Sequence, residues 1–296
     1  MALMTRQLEV DSAPVSSRVI TQISRPAFLC FSDAPGGTAG QAHQPVRYHQ
    51  YTLGQWTTVD TQVIVEKPVS LTINGEAWLT LMCTPIELEA LAVGFLFNEG
   101  LIQKTEEIAS VRVCPTADNV DVWLRHTIDK PDRWRRTSGC TGGITSTDLN
   151  TMPHPVLDGI TLTPDSVCDL MGQLFEAQNL YREARGVHTS ALSDGHRILV
   201  LAEDIGRHNT LDKISGRCLL EGIMASPRIL LTTGRISSEM LQKSARIDAA
   251  VVITRTSPSS LSVRLAEQWG LTLIGYAHRD RFNIYAHPER ITNIKS

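Results

Sequence analysis

From residue 156 to the end of this 296-residue chain, short β-branched runs alternate with amphipathic helical stretches. That alternation constrains the fold more than any other feature. Runs at 198–202, 229–232, 249–254 and 271–276 have the length and composition of buried strands. Helical periodicity falls between them, near 209–221, 237–247 and 258–269. A further helix starts at Thr163-Pro164 and carries Val167, Leu170, Met171, Leu174 and Phe175. Strand and helix in regular succession predict a three-layer α/β/α domain on a mostly parallel sheet, here spanning 156–296.

The other half follows a different pattern. Residues 1–45 read as a disordered tail, because 32–41 is small, polar and aperiodic. Residues 46–126 read as a small α+β domain. Stretches 61–66 and 69–74 alternate like strands, Asn74-Gly75 has the composition of a type I′ turn, and 78–82 returns. A helix is expected next, with Thr84 as N-cap, Pro85 in the first turn, Glu87 closing a capping box and Gly100 as the stop. Strands follow near 110–114 and 120–125, and residues 127–155 form a linking loop. The whole is an α/β protein of two parts.

Bulk chemistry narrows the function. With 28 basic and 31 acidic side chains, a net charge of -3 argues against a nucleic-acid binder. The N-terminus has no secretory apolar stretch, and the longest apolar run, 90–97, is too short to span a membrane. Six cysteines (30, 83, 114, 140, 168 and 218) are scattered without a close pair. They suggest neither a disulfide framework nor a Cys-x-x-Cys zinc site, and a reducing cytoplasm suits them.

Three segments, Thr232-Thr-Gly-Arg-Ile-Ser-Ser, Thr254-Arg-Thr-Ser-Pro-Ser and Tyr276-Ala-His-Arg-Asp-Arg, each follow an expected strand. Parallel strands would bring them to one sheet edge, where such folds bind ligands. The first two enter helix N-termini, and Arg235, Arg255, Arg279 and Arg281 add forks suited to phosphate. A nucleotide-like ligand is one reading, and ordinary surface turns are the other.

Cys140 lies among glycines in Arg135-Arg-Thr-Ser-Gly-Cys-Thr-Gly-Gly, with Arg133, Arg135 and Arg136 able to favour its thiolate. Composition alone favours an incidental loop cysteine. Glu203-Asp-Ile-Gly-Arg-His-Asn-Thr-Leu-Asp-Lys turns a strand into a helix. It offers acid/base groups, or equally a structural turn capped by Asp204 with Arg207 paired to Glu203. His188, in Gly186-Val-His-Thr-Ser-Ala, precedes a strand and more often would be structural.

In chain order, 84–102, 135–143, 186–191, 203–213, 232–243, 276–281 and 283–288 resemble the FdhD/NarQ family over roughly residues 55 to 290. The resemblance implies a sulfur carrier. Such proteins accept a persulfide from a cysteine desulfurase and deliver sulfur to the bis-molybdopterin guanine dinucleotide of formate dehydrogenase. It implies a C-terminal domain similar to the cytidine deaminase fold and a homodimer. The family's persulfide cysteine falls on Cys140. Its contacts to the guanine nucleotide moiety fall on Tyr276, Ala277, His278, Arg279, Asp280 and Arg281. His188, Asp204 and His208 become candidates for proton handling or pocket shape. One departure stands out: many relatives have a second cysteine in the loop, where this chain has Gly143. A single persulfide is still chemically sufficient if an external thiol takes part.

Two rivals remain at this stage. A deaminase-like hydrolase needs a zinc signature that joins His-x-Glu to Pro-Cys-x-x-Cys, and this chain has no Pro-Cys-x-x-Cys. A chaperone for the cofactor or the apo-enzyme, without sulfur chemistry, draws weight from Gly143.

Overall fold

The computed structural model describes residues 40–131, 135–136, 144–145 and 159–294. The chain opens with a two-stranded antiparallel ribbon, β1 (His43–Thr52) and β2 (Gln55–Ile64). β1 therefore begins inside the stretch read as tail; residues 1–39 lie outside the described residues. The ribbon's turn is Leu53-Gly54, both at positive φ. Leucine is not a turn signal, so this hairpin was not visible in the sequence.

β3 (Lys67–Ile73), β4 (Glu76–Cys83), α1 (Leu88–Asn98), β5 (Ile108–Val113) and β6 (Asn119–Leu124) follow. The four strands form one sheet in the order β4-β3-β6-β5. The expected Asn74-Gly75 turn is present, with φ of 49° and 84°. Apolar residues alternate along β3, so that Val69, Leu71 and Ile73 are buried with Leu91, Phe95 and Leu96 of α1.

The start of α1 departs from expectation. Thr84 does not cap it, and the helix opens after Glu87, which is left-handed at φ 51° with no side-chain cap. The Thr84 hydroxyl instead accepts the Ile205 N–H at 3.1 Å, and its own N–H donates to Asp204 Oδ2 at 3.2 Å. A tertiary contact outcompetes the local cap. The C-terminal stop is as expected, with Gly100 at φ 75° and Leu101 N–H returning to the Leu96 carbonyl.

β7 (Arg135–Arg136) and β8 (Ile144–Thr145) form a short antiparallel pair that brackets residues 137–143 in the chain. Beyond it come α2 (Pro164–Glu176), α3 (Asn179–Ala184), β9 (His188–Ser193), β10 (Ile198–Asp204), α4 (Arg207–Glu221), β11 (Ile229–Thr232), α5 (Ser238–Arg246), β12 (Val251–Thr254), α6 (Ser260–Trp269), β13 (Thr272–Gly275) and β14 (Asn283–Ala286). Thr163 caps α2 by accepting the Ser166 N–H, as its Thr-Pro start predicts.

The second sheet has the order β10-β9-β11-β12-β13-β14. β11, β12 and β13 pair in parallel, but β9 inserts antiparallel between β10 and β11, and β14 closes the other edge antiparallel. The sheet is thus mixed, although β10, β11, β12 and β13 all point the same way. Nothing in single strands marks the insertion of β9.

Period-two alternation divides the side chains between two layers. Leu230, Val252 and Leu273 face α4, α5 and α6, whereas Leu231, Ile253 and Ile274 face α2. This is the expected three-layer α/β/α arrangement.

The two halves meet where α1 crosses α4. A Cβ on Gly94 would stand 1.7 Å from the Asp212 carbonyl oxygen, and one on Gly216 would stand 1.9 Å from that of Ala90. Only glycine admits so close a crossing. Around it lies a buried polar network: Asn98 donates to Asp212 at 2.7 Å, Ser215 donates to Asn98 at 3.1 Å, and Lys243 pairs with Asp212 at 2.5 Å.

Candidate functional site

Because β10 through β13 run parallel and β9 runs against them, one edge of the sheet collects five chemically rich segments. His188 opens β9 opposite Asp204, the last residue of β10. Thr232 ends β11 opposite Thr254, which ends β12. The loop of Tyr276 to Arg281 leaves β13 at the same edge. The convergence expected for three of these segments is therefore present, and the motifs of His188 and Asp204 join it.

Hydroxyls fix this edge from beneath. Ser190 Oγ lies 2.7 Å from Thr210 Oγ1 and donates to Thr232 Oγ1 at 2.8 Å. Thr232 Oγ1 accepts the Gly234 N–H, and Thr254 Oγ1 donates to the Gly234 carbonyl at 2.6 Å. Gly234 also packs on Arg207, where an added Cβ would meet Arg207 Cβ at 2.9 Å.

Tyr276 is exposed at φ 51°, an uncommon conformation for a residue with a side chain. Its N–H donates to the Thr256 carbonyl, and that of buried Ala277 donates to the Thr254 carbonyl. These bonds stitch the loop to the β12–α6 connection. The half-buried His278 ring lies 6.5 Å from that of Phe175, and the Arg255 guanidinium sits 5.8 Å over the same Phe175 ring. Phe175 read in the sequence as one more apolar residue of α2, and its place in this edge was missed. Arg279 pairs with Glu176 at 3.0 Å, while Asp280 and Arg281 are exposed. No carboxylate pairs with Arg235, Arg255 or Arg281 among the described residues. They leave the edge cationic and suited to an anion.

The helix ends contribute less than expected. Ser237 and Ser259 cap α5 and α6 by accepting the Met240 and Ser262 N–H groups, so those donors are spent internally. α4, with Gly206 as its N-cap, has no side-chain cap.

Asp204 and Glu203 are structural anchors. Asp204 accepts from Gly206 N–H at 2.7 Å and Asn209 Nδ2 at 2.8 Å, and it pairs with Lys213 at 2.7 Å. The segment is a structural turn, one of the two readings, but Lys213, which the sequence did not single out, is its ionic partner, and Asp204 is not the side-chain cap of α4 that was expected. Glu203 accepts the Leu180 and Tyr181 N–H groups and so caps α3. The imidazoles are held neutral. Burial, then the cations Lys243 and Arg207 and the neighbouring His188, pushes His208 down to about 3. Burial and Arg207 lower His188, with Asp204 opposing. His208 Nε2 is buried without a hydrogen-bond partner among the described residues. With their pKa values lowered, both rings are neutral at pH 7 and are not standing acids.

Cys140, Arg133 and Gly143 lie outside the described residues, and of Arg135 and Arg136 only the backbone pairing is described. Three of the described thiols are held protonated by burial. Burial pushes Cys83 up to about 12 and raises Cys168 and Cys218. Cys114 is hydrogen-bonded to Asp118 at 2.9 Å. Among the described residues no three His, Cys, Asp or Glu side chains cluster to hold a metal, and no helix is long and apolar enough to cross a membrane.

A family model described as the FdhD/NarQ family matches residues 64–292. The sulfur carrier protein FdhD of Bacillus subtilis (strain 168) is 35% identical over 249 residues, covering 82% of this chain and 95% of that protein. Its namesake in Staphylococcus aureus (strain MRSA252) is 36% identical over 250 residues, covering 82% and 94%. A crystal structure of a proposed formate dehydrogenase accessory protein from Desulfotalea psychrophila superposes with a TM-score of 0.74 at 30% identity, covering 85% of this chain and all of that one.

Proposed function

The chain belongs to the FdhD/NarQ family, and from that premise we propose that it carries sulfur for the maturation of formate dehydrogenase. Cys140 receives sulfur from a cysteine desulfurase and hands it to the bis-molybdopterin guanine dinucleotide destined for the enzyme. The reading rests on relatives named as sulfur carriers over most of the chain, and on one structural observation that carries it. Arg235, Arg255 and Arg281, none of them paired to a carboxylate among the described residues, converge on a single sheet edge with the loop of Tyr276 to Arg281.

In the accepting step the Cys140 thiolate attacks the terminal sulfur of the desulfurase persulfide. A new S–S bond forms at Cys140 while the desulfurase S–S bond breaks, and the desulfurase leaves as its thiolate. The exchange is redox-neutral, so Gly143 in place of a second thiol does not prevent it. Arg133, Arg135 and Arg136 favour the anionic sulfur by charge. For delivery, an external thiol attacks the Cys140 sulfur: the persulfide S–S bond breaks, the outer sulfur leaves as sulfide for the metal, and a second external thiol reduces the mixed disulfide left on Cys140. The cofactor is cargo. Its guanine nucleotide end lies along Tyr276, Ala277, His278, Arg279, Asp280 and Arg281, where Arg281 with the neighbouring Arg235 and Arg255 binds its phosphates. The protein works in the cytoplasm as a homodimer.

The test is intact-mass analysis after incubation with a cysteine desulfurase and cysteine. Wild type should gain about 32 Da, the mass of one sulfur atom, and Cys140→Ala should not. An adduct that persists in Cys140→Ala, or none in wild type, defeats the persulfide step. The second reading, a cofactor- or apo-enzyme-binding chaperone, draws on Gly143 and predicts that Cys140→Ala still supports formate dehydrogenase maturation.

A further inference from the structure

Three strands reach the candidate edge with a hydroxyl on the same face. Ser190 of β9, Thr232 of β11 and Thr254 of β12 are wholly buried on the α4 side of the sheet, in line with Leu192, Leu230 and Val252. At Thr232 and Thr254 a valine would have the same branched shape, suit a strand and bring no polar atom into the core. Packing alone does not explain the hydroxyls.

Their shared partner is the backbone of Gly234. Its N–H donates to Thr232 Oγ1 at 3.1 Å, and its carbonyl accepts from Thr254 Oγ1 at 2.6 Å. Thr232 and Thr254 stand opposite each other across the β11–β12 pair, so the two hydroxyls grip both polar groups of one residue. Arg207 closes a third side, where an added Cβ on Gly234 would stand 2.9 Å from Arg207 Cβ. Gly234 is buried, and the next residue, Arg235, is exposed. Arg235 thus leaves the edge from a residue that cannot shift without breaking a buried hydrogen bond. Thr254 also reaches the other two arginine loops. Its Oγ1 accepts the Thr256 N–H at 3.1 Å, and its carbonyl accepts the Ala277 N–H at 3.0 Å.

We propose that Thr254 is a positioning residue for the anion at this edge: with Thr232 it clamps Gly234 and so aims Arg235 at the phosphates. The role rests on the reading above that a nucleotide lies here. Arg235 is suitably placed. It is close enough to His188, at the start of β9, for its charge to help lower the pKa of that ring, and no carboxylate pairs with it among the described residues. A guanidinium whose backbone is already fixed loses less freedom on taking a phosphate than one on a loose loop. A hydroxyl that fixes it beforehand therefore shows in affinity.

Titration calorimetry of the full chain with guanosine diphosphate tests the proposal, since it reads stoichiometry and Kd separately. Thr254→Val should weaken binding by about 5- to 20-fold, part of what the loss of one charge-assisted phosphate bond costs, with stoichiometry unchanged. Thr254→Ser keeps the hydroxyl and should bind within about twofold of wild type. In an Arg235→Ala background Thr254→Val should have little further effect, because the side chain it aims is gone. A hydroxyl that only stabilised the fold would lower stoichiometry and leave Kd alone, and that result overturns the proposal. Equal losses from Thr254→Val with and without Arg235 overturn it too. Arg235 is exposed, so Arg235→Ala keeps the test decisive even if Thr254→Val does not fold, and wild-type affinity in that variant again overturns the positioning role. A wild type that does not bind the nucleotide overturns both the nucleotide reading of this edge and the role of Thr254. Wild-type binding that is indifferent to Thr254→Val overturns the role of Thr254 alone. The Cys140 mass adduct tests sulfur transfer separately.

Discussion

Lys213 Nζ stands 2.7 Å from Asp204 Oδ2 with both side chains wholly buried. The ammonium also donates to the Thr84 and Glu203 carbonyls, each at 3.2 Å. This pair joins α4 to the end of β10 and to the segment before α1, and so ties the floor of the candidate site to the N-terminal half. Removing one partner strands a buried charge, at a cost of about 3–5 kcal/mol. Lys213→Met and Asp204→Leu should each lose that much in urea unfolding. The double variant should lose distinctly less than the sum, because it leaves no orphaned charge. Additive losses would mean that the two groups are not energetically coupled.

Acid should weaken the protein through His208. Its folded pKa is about 3, against an ordinary value of about 6.5 in the unfolded chain. Below pH 6.5 the unfolded chain takes up a proton that the native state refuses. Stability therefore falls on acidification towards pH 3, by up to about 1.4 kcal/mol per pH unit. Lys243 on α5, Arg207 beside it and His188 on β9 all act in that direction. Buried Asp212, pushed up by desolvation, contributes the opposite sign above about pH 3.8 and is common to both proteins compared. Urea unfolding between pH 4 and 7 should show a shallower slope for His208→Asn than for wild type. Parallel curves would refute the assignment.

The crossing of α1 and α4 should not tolerate a methyl group. In Gly94→Ala the new Cβ would face a backbone carbonyl at 1.7 Å, which no rotamer change can relieve. The helices must separate, at a cost of about 3 kcal/mol or more. Gly54 in the ribbon turn has nothing within 4 Å, so in thermal melting Gly54→Asn should cost only the backbone strain of its φ of 85°, far less than Gly94→Ala. Equal losses in the two variants would count against a steric origin.

The strand–loop–helix units after β11 and β12 were legible because Gly, Ser and Arg follow β-branched runs directly, and the runs themselves set the layer assignment. What escaped reading depends on partners far along the chain. Thr84 has every local feature of an N-cap, yet its donor and acceptor are met by Asp204 and Ile205, more than a hundred positions away. Glu203 looked like an acid/base candidate and is used to cap α3. β9 gives no sign in its own residues that it inserts antiparallel beside β11. Phe175 fits the apolar period of α2, and only the fold brings it beside Arg255 and His278.

If the edge takes the guanine nucleotide end of the cofactor, its arginines should contribute unequally. Arg279 is already paired with Glu176 and packs over Gly172, whereas Arg255 and Arg281 have no carboxylate partner among the described residues. A charge-assisted hydrogen bond to phosphate is worth about 1.5–3 kcal/mol. Arg255→Ala and Arg281→Ala should therefore each weaken guanosine diphosphate binding by about 10- to 150-fold in calorimetry. Arg279→Ala should matter less, since Arg279 must first give up Glu176 to reach a ligand. Raising the salt should weaken wild type more than either strong variant, because fewer charge contacts remain in the variants to be screened. Wild-type affinity in both Arg255→Ala and Arg281→Ala would place the nucleotide elsewhere.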